Sequence, residues 1–139
     1  MPARETIHAT TVAIGGRAVL LIGPSGSGKS DLALRLIDRG AMLVSDDYTD
    51  LDGAGDALIA RPPATIAGRI EVRGVGIVDL PHLDRAPVSL AVRLDARVER
   101  MPETATCTLA ERVVPAIAVN PFEASAPIKI ELVMRRISS

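Results

Sequence analysis

The sequence from residue 23 to residue 30 reads Gly23-Pro24-Ser25-Gly26-Ser27-Gly28-Lys29-Ser30. It fits the pattern G-x-x-x-x-G-K-[ST] at every fixed position, and that pattern is typical of loops that bind phosphate groups. Glycines let consecutive backbone N–H groups curl around a phosphate chain, a conformation that side chains would block. In such loops the lysine, here Lys29, contacts the outer phosphates, and the last hydroxyl, here Ser30, is placed to bind Mg²⁺.

The residues on either side of this loop support the same interpretation. An apolar run at 18–22 precedes the loop, and an amphipathic segment at 31–37 follows it. A strand, a glycine-rich loop and a helix in this order are the context that confirms the pattern, and the helix N-terminus adds partial positive charge. We therefore expect binding of a nucleotide or another phosphate; the alternative is a glycine turn without a ligand.

The composition excludes several classes of function. Aromatic residues make up 1% of the 139 residues, so base stacking on Tyr48 or Phe122 is nearly unavailable, which argues against single-stranded nucleic acid and predicts a loosely held adenine. The net charge of −1 provides no basic surface for DNA or an anionic membrane.

Cys107 is the only cysteine, so no internal disulfide is expected. No apolar run has the length of a signal peptide or a membrane span, which predicts a cytoplasmic protein.

Most of the remaining sequence predicts strands and turns. We expect strands at 5–14, 17–22, 41–45, 57–61 and 88–95, and one or two strands within each of the segments 71–80 and 106–119. A turn is expected at 50–55, a helix at 29–39 and a final helix capped by Ser125. Because strands outnumber helices, the sequence predicts an α/β fold with a mixed or antiparallel sheet and the first helix packed on one side. Its length predicts one domain over residues 1–139.

Five further residues are candidates for a catalytic or binding role. Asp46 and Asp47 end a strand and point to opposite faces, so one carboxylate can hold Mg²⁺ while the other faces a second reactant; the alternative is a solvated turn. Glu71 and Arg73 alternate with apolar residues and share a strand face, and a solvated face is equally compatible with them. A lone His8 in a strand is, from its residue pattern alone, more often structural than functional.

Taken together, these residues resemble the catalytic domain of the HPr kinase/phosphorylase family. The resemblance rests on Ile7-His8-Ala9, the loop from Gly23 to Ser30, Arg39-Gly40, Leu43-Val44-Ser45-Asp46-Asp47 and the segment 71–79 with its glutamate-x-arginine-glycine-x-glycine pattern. It covers residues 5–80 with specific motifs and continues more weakly to about residue 131. It implies the fold of phosphoenolpyruvate carboxykinase-like P-loop proteins.

The resemblance also implies a reaction and roles for residues. It implies ATP- and Mg²⁺-dependent phosphorylation of a serine on HPr, the phosphocarrier of the sugar phosphotransferase system, or on its paralogue in a nitrogen-linked phosphotransfer chain. Asp46 would be the general base, Asp47 and Ser30 would hold Mg²⁺, and His8 would lie beside the catalytic aspartate. Lys29 would stabilise the transferred group, and the signature residues of 71–74 would lie at the edge of the site.

The sequence departs from the family pattern in two ways. Family members carry an N-terminal domain and extra C-terminal helices that we do not find here, so we expect a short form whose oligomeric state is open, with 88–95 or the last helix as a possible assembly surface. The segment 120–125 lacks the arginine of a proline-glycine-arginine-asparagine loop that the family links to dephosphorylation. The expectation is therefore a kinase with weak or absent phosphorylase activity.

Two other functions remain open at this point. A nucleotide-binding sensor that acts through a partner without transferring phosphate would need no base, and the intact Asp46 and His8 argue against it. A small-molecule kinase usually closes a lid that carries several arginines, and no such helical segment follows Asp47. The identity of the acceptor, a protein serine, a metabolite hydroxyl or none, distinguishes these functions.

Overall fold

The computed structural model describes residues 3–138 as a mixed α/β fold with eleven strands and two α-helices. In chain order the elements are β1 (Arg4–Ile7), β2 (Ala9–Ile14), β3 (Arg17–Ile22), α1 (Lys29–Asp38), β4 (Met42–Ser45), β5 (Thr49–Asp52), β6 (Ile59–Arg61), β7 (Arg69–Val72), β8 (Gly76–Asp79), β9 (Ala86–Arg93), β10 (Ala105–Leu109), β11 (Arg112–Ala118) and α2 (Ala126–Ser138). A short 3₁₀ turn at Ala64–Ile66 lies between β6 and β7. The predicted predominance of strands is confirmed.

The main sheet combines parallel and antiparallel strands. Its strands follow the order β1-β5-β6-β9-β3-β2-β4, and the hairpin of β10 and β11 joins through β11. Strand β9 runs parallel to β3 and β11, whereas the other pairs in this sheet are antiparallel. Strands β7 and β8 form a separate two-stranded ribbon. The predicted mixed sheet is therefore confirmed.

Apolar residues pack on both faces of the central strands. Along β3, Val19 and Leu21 face one core while Ala18 and Leu20 face another, as the two-residue period of a strand requires. The first core contains α1 and α2, and the second gathers residues from β5, β6, β9, β10 and β11. The first helix thus lies on one side of the sheet, as expected.

The helices begin and end close to their predicted limits. Helix α1 starts directly after Gly28, and the N–H of Ala41 donates to the carbonyl of Leu36 after Gly40 has turned the chain at φ +112°. The N–H of Lys129 donates to the carbonyl of Ser125, so Ser125 occupies the cap position of α2. Neither helix, over the residues that the structure describes, is long and apolar enough to cross a membrane.

Three predicted segments differ from the structure. The strand expected at 5–14 is split at His8 into β1 and β2. The expected turn at 50–55 begins only after Asp52, because β5 pairs with both β1 and β6 and this pairing outweighs the turn propensity of its aspartates. The strand predicted at 88–95 lies inside the sheet, flanked by β3 on one edge and by β6 and β11 on the other. It is therefore not a free edge for assembly.

Candidate active site around residues 23–30

A cavity of about 510 Å³ opens at the N-terminus of α1. The loop that precedes α1 connects it to the carboxyl end of β3, and the carboxyl end of β4 supplies two aspartates. The lining residues are Ser25, Gly26, Gly28, Lys29, Ser30, Asp31, Leu34, Asp46, Asp47, Glu71, Val72, Arg73 and Phe122. The structure therefore brings the glycine-rich loop, the aspartate pair and the signature segment of the sequence analysis into one place.

The backbone of the loop depends on its glycines. Gly26 and Gly28 have φ values of +82° and +93°, in the left-handed region that side chains disfavour. A Cβ on Gly23 would lie 2.9 Å from Cβ of Ser27, so the close approach of these two residues needs a glycine. The first N–H groups of α1 have no partner within the helix and point toward its N-terminal end, where the cavity lies.

Lys29 lies at the base of the loop and is only 5% exposed. Its Nζ donates hydrogen bonds to the carbonyls of Gly23, at 2.8 Å, and Pro24, at 3.0 Å. Burial lowers the pKa of Lys29 below its ordinary value, while the carboxylates of Asp47 and Asp46 act in the opposite direction. The ammonium group is thus held inside the loop and lies 3.8 Å from Oδ1 of Asp47.

Asp46 is buried, with both carboxylate oxygens in hydrogen bonds. Its Oδ1 accepts from the hydroxyls of Ser30, at 2.6 Å, and Thr10, at 3.0 Å. Its Oδ2 accepts from the backbone N–H of Glu71 at 2.9 Å. Asp46 therefore links the end of the loop to β2 and to the ribbon of β7 and β8.

Asp47 has the opposite environment, since its side chain is half exposed and lines the cavity. Its Oδ1 lies 2.6 Å from Nε2 of His8, a hydrogen-bond distance. Its backbone adopts φ +66°, and its N–H donates to Oγ1 of Thr10. In the structure Asp46 contacts Ser30 and Asp47 contacts His8, because the chain turns sharply between the two aspartates. The resemblance had implied that Asp47 acts with Ser30 and that His8 lies beside Asp46.

Two residues that the sequence analysis overlooked arrange this pair. The hydroxyl of Thr10 donates to the Asp46 carboxylate and accepts from the N–H of Asp47, so it fixes both aspartates. The ring of Tyr48 stacks on His8, with centroids 4.9 Å apart and an angle of 12° between the planes. A signal for Thr10 exists in the sequence, because in the strand predicted at 5–14 it stands two positions after His8 and alternation would place both on one face.

The signature residues lie on the ribbon at one wall of the cavity. Glu71 and Arg73 are both exposed and line the cavity, and Gly74 turns the chain between the two strands at φ +84°. The backbone of Glu71, through Asp46, ties this ribbon to the loop. The ribbon is thereby positioned as a wall of the cavity.

Other predicted site residues contribute indirectly. Gly23 and Pro24 supply carbonyl oxygens to Lys29. His8 does not line the cavity itself but contacts Asp47, which does. Ser27 belongs to the loop but does not line the cavity, and its hydroxyl is buried without a hydrogen-bond partner among residues 3–138. The loop is thus divided between residues that face the cavity and residues that hold its shape.

The sequence and the fold of this chain are similar to those of known proteins. The family model described as the HPr Serine kinase C-terminal domain matches residues 1–99. An HPr kinase/phosphorylase of Clostridium acetobutylicum is 46% identical over 77 residues, which make up 55% of this chain and 25% of that protein. One of Lactiplantibacillus plantarum is 38% identical over 97 residues, or 69% of this chain and 30% of that protein.

A solved structure extends the similarity to nearly the whole chain. The structure of the Hpr(Ser) kinase/phosphatase from Coxiella burnetii superimposes with a TM-score of 0.81 and 30% sequence identity, and the match covers 95% of this chain and 89% of that one. The chain spans about a quarter of the length of the curated relatives. On the family model, the relatives and the fold together, the chain belongs to the HPr serine kinase C-terminal domain family.

Proposed function

We propose that this protein transfers the γ-phosphate of ATP to a serine of HPr or of its paralogue in a nitrogen-linked phosphotransfer chain. The observation that carries the proposal is the convergence of Lys29, Ser30, Asp46 and Asp47 on one cavity at the N-terminus of a helix. Phosphoryl transfer needs mainly positioning and charge neutralisation, together with one group that accepts the proton of the attacking hydroxyl. The names of the relatives, HPr kinase/phosphorylase and Hpr(Ser) kinase/phosphatase, agree with this reaction.

The loop is suited to the triphosphate of a nucleotide. The free N–H groups at the start of α1 are donors for phosphate oxygens, and the helix dipole favours negative charge at the same end. Lys29 contributes a compact positive charge close to the aspartates. In the proposed reaction it shifts from the carbonyls of Gly23 and Pro24 toward the transferred group and stabilises its charge.

The oxygen atoms around Ser30 fit Mg²⁺. The Ser30 hydroxyl and Oδ1 of Asp46 lie 2.6 Å apart, and hydroxyl and carboxylate oxygens are the hard ligands that this ion prefers. We propose that Ser30 and Asp46 hold Mg²⁺ directly or through water, in place of the pair of Ser30 and Asp47 that the sequence suggested. The ion supplies neutralisation of the phosphate charge that develops during transfer.

Asp47 is then the general base. A proton acceptor has to be accessible to the incoming serine, and Asp47 is half exposed at the cavity whereas Asp46 is buried and engaged on both oxygens. His8 orients the Asp47 carboxylate through the 2.6 Å contact. The role that the sequence analysis gave to Asp46 therefore passes, in our proposal, to its neighbour.

The proposal is tested by offering both carriers. The protein is incubated with ATP, Mg²⁺ and either purified HPr or the nitrogen-branch paralogue, and phosphoserine is measured by mass spectrometry, with Lys29→Met as the inactive control. Phosphoserine on one carrier, formed only by the wild-type protein, supports the kinase and identifies its partner. Binding of ATP without phosphoserine on either carrier would replace the kinase by a nucleotide-binding sensor.

Three further properties stay predictions. The segment 120–125, which lacks the family's arginine, predicts weak or absent phosphorylase activity. Phosphorylated carrier incubated with inorganic phosphate should release pyrophosphate far more slowly than the kinase reaction proceeds, and comparable rates would contradict this prediction. A possible homo-oligomer, with the oligomeric state left open, and activity in the cytoplasm are the other two.

A further inference from the structure

The cavity has an apolar wall as well as the polar wall formed by the aspartates. Leu34 of α1 and the ring of Phe122 both line it. Phe122 is 76% exposed, although a phenyl ring is costly to leave in water, and it packs into neither of the two cores. Of the lining residues within 3–138 it is the only aromatic one. Tyr48 is not a lining residue, and its ring stacks on His8.

The phenyl ring lies directly beside the glycine-rich loop. A Cβ placed on Gly28 would lie 3.4 Å from Cε1 of Phe122 and 3.2 Å from Cγ of Pro121. The ring is therefore in van der Waals reach of the residue that immediately precedes α1. A ligand whose phosphates occupy the loop would therefore lie next to this ring.

The segment that carries Phe122 is fastened to α1. The guanidinium of Arg35 donates to the carbonyls of Pro121 and Glu123, the residues on either side of Phe122. Arg35 itself is held by Asp31, its partner one helical turn earlier. The N–H of Phe122 donates to Oδ1 of Asn120 at 3.0 Å. The exposure of the ring is thus a fixed feature of the site, because the backbone on both sides of it is tied down.

We infer that Phe122 is the platform on which the nucleobase of the bound nucleotide stacks. The inference rests on the proposed function, since it requires the triphosphate to occupy the loop, and it adds the contact that selects a nucleotide over phosphate alone. The planar face of a base matches an exposed phenyl ring, and Leu34 extends the apolar wall. The composition predicted a loosely held adenine. The inference instead gives the base one defined stacking partner, Phe122.

The test separates the base from the phosphates. Phe122→Leu keeps an apolar side chain but removes the aromatic face, and its affinities for Mg²⁺-ATP and for tripolyphosphate, which has no base, are measured by calorimetry. We expect ATP affinity to fall by about tenfold or more, while tripolyphosphate affinity stays within about twofold. Val113→Ala, at an exposed apolar residue on β11, is the matched control and should change neither.

A second variant provides a direct signal. The chain contains no tryptophan, so Phe122→Trp introduces a single indole fluorophore at the proposed platform. Stacking predicts ATP affinity close to that of the wild type and quenching of the indole fluorescence by ATP but not by tripolyphosphate. The fluorescence of Phe122→Trp therefore tests base stacking even if Phe122→Leu folds poorly.

Several results would overturn the inference. Phe122→Leu with unchanged ATP affinity, equal losses for ATP and tripolyphosphate, or an indole fluorescence of Phe122→Trp that ATP leaves unchanged would each remove the stacking role while leaving the proposed kinase intact. If the wild-type protein bound neither ATP nor tripolyphosphate, the proposed function would fall together with the inference. The two failures are therefore distinguishable.

Discussion

Replacing each aspartate of the Asp46-Asp47 pair by asparagine should separate their roles. Asp47→Asn removes the proposed proton acceptor with little change in shape, and asparagine tolerates the φ of +66° at this position better than most residues. Asp46→Asn instead alters a buried group whose oxygens accept three hydrogen bonds, from Ser30, Thr10 and the N–H of Glu71. The two neighbouring substitutions should therefore have different consequences.

The expected magnitudes follow from these contacts. Loss of a general base lowers turnover by roughly 10²- to 10⁴-fold, or about 3–5 kcal/mol in the activation free energy. In Asp46→Asn an amide NH₂ replaces one acceptor oxygen and faces a donor, which costs about 2 kcal/mol of folding free energy. For a domain of this size that cost lowers the Tm by roughly 8 °C.

The assay measures three properties of each variant. Transfer to the carrier is followed at saturating ATP, Mg²⁺-ATP affinity is measured by calorimetry, and Tm is obtained from thermal denaturation. Asp47→Asn should have the Tm and the Mg²⁺-ATP affinity of the wild type but a much lower turnover. Asp46→Asn should have a lower Tm and should lose the contribution of Mg²⁺ to ATP binding. Full turnover in Asp47→Asn, with a stable but inactive Asp46→Asn, would refute the exchange of roles.

Other variants probe the loop and the histidine. Burial lowers the pKa of Lys29, so the protonated amine costs stability at a pH below the lowered pKa, and this cost disappears as the pH rises toward the ordinary value. The Tm of the wild type should therefore rise relative to that of Lys29→Met as the pH is raised, and a Tm difference that does not change with pH would contradict this. Gly28→Ala should lower both Tm and ATP affinity, because its φ is +93° and the new Cβ would lie 3.2 Å from Pro121; unchanged calorimetry would contradict this. Tyr48→Ala should slow transfer severalfold at unchanged ATP affinity, since His8 loses its stacking partner, and Tyr48→Phe should restore it.

Local patterns made much of the fold predictable. The glycine-rich loop, the helix that ends just before Gly40, the apolar run of β3 and the alternation along β9 are each contained in a few consecutive residues. Strand neighbours could not be predicted in the same way, because pairing joins residues that are distant in sequence. The interior position of β9 and the strand at Thr49–Asp52 are both consequences of such pairing.

The chemistry of the site was predictable in its residues and less so in their arrangement. Alternation along a strand indicates that Asp46 and Asp47 face opposite ways, but it does not indicate which one faces the loop. The left-handed turn at Asp47 and the hydroxyl of Thr10 determine that outcome, and Thr10 lies 37 positions from Asp47 in sequence. Phe122 was overlooked for a similar reason, since only the contacts of Arg35 place it at the cavity.

The decisive measurement is a single-turnover transfer of labelled γ-phosphate from ATP to purified HPr and to its paralogue, with Mg²⁺ and the protein in excess over ATP. Our proposal predicts acid-stable label on a serine of one carrier, and transfer slowed roughly 10²- to 10⁴-fold by Asp47→Asn although ATP still binds. Bound ATP that never labels a serine of either carrier would contradict the proposal and leave a protein that binds nucleotide without transferring phosphate.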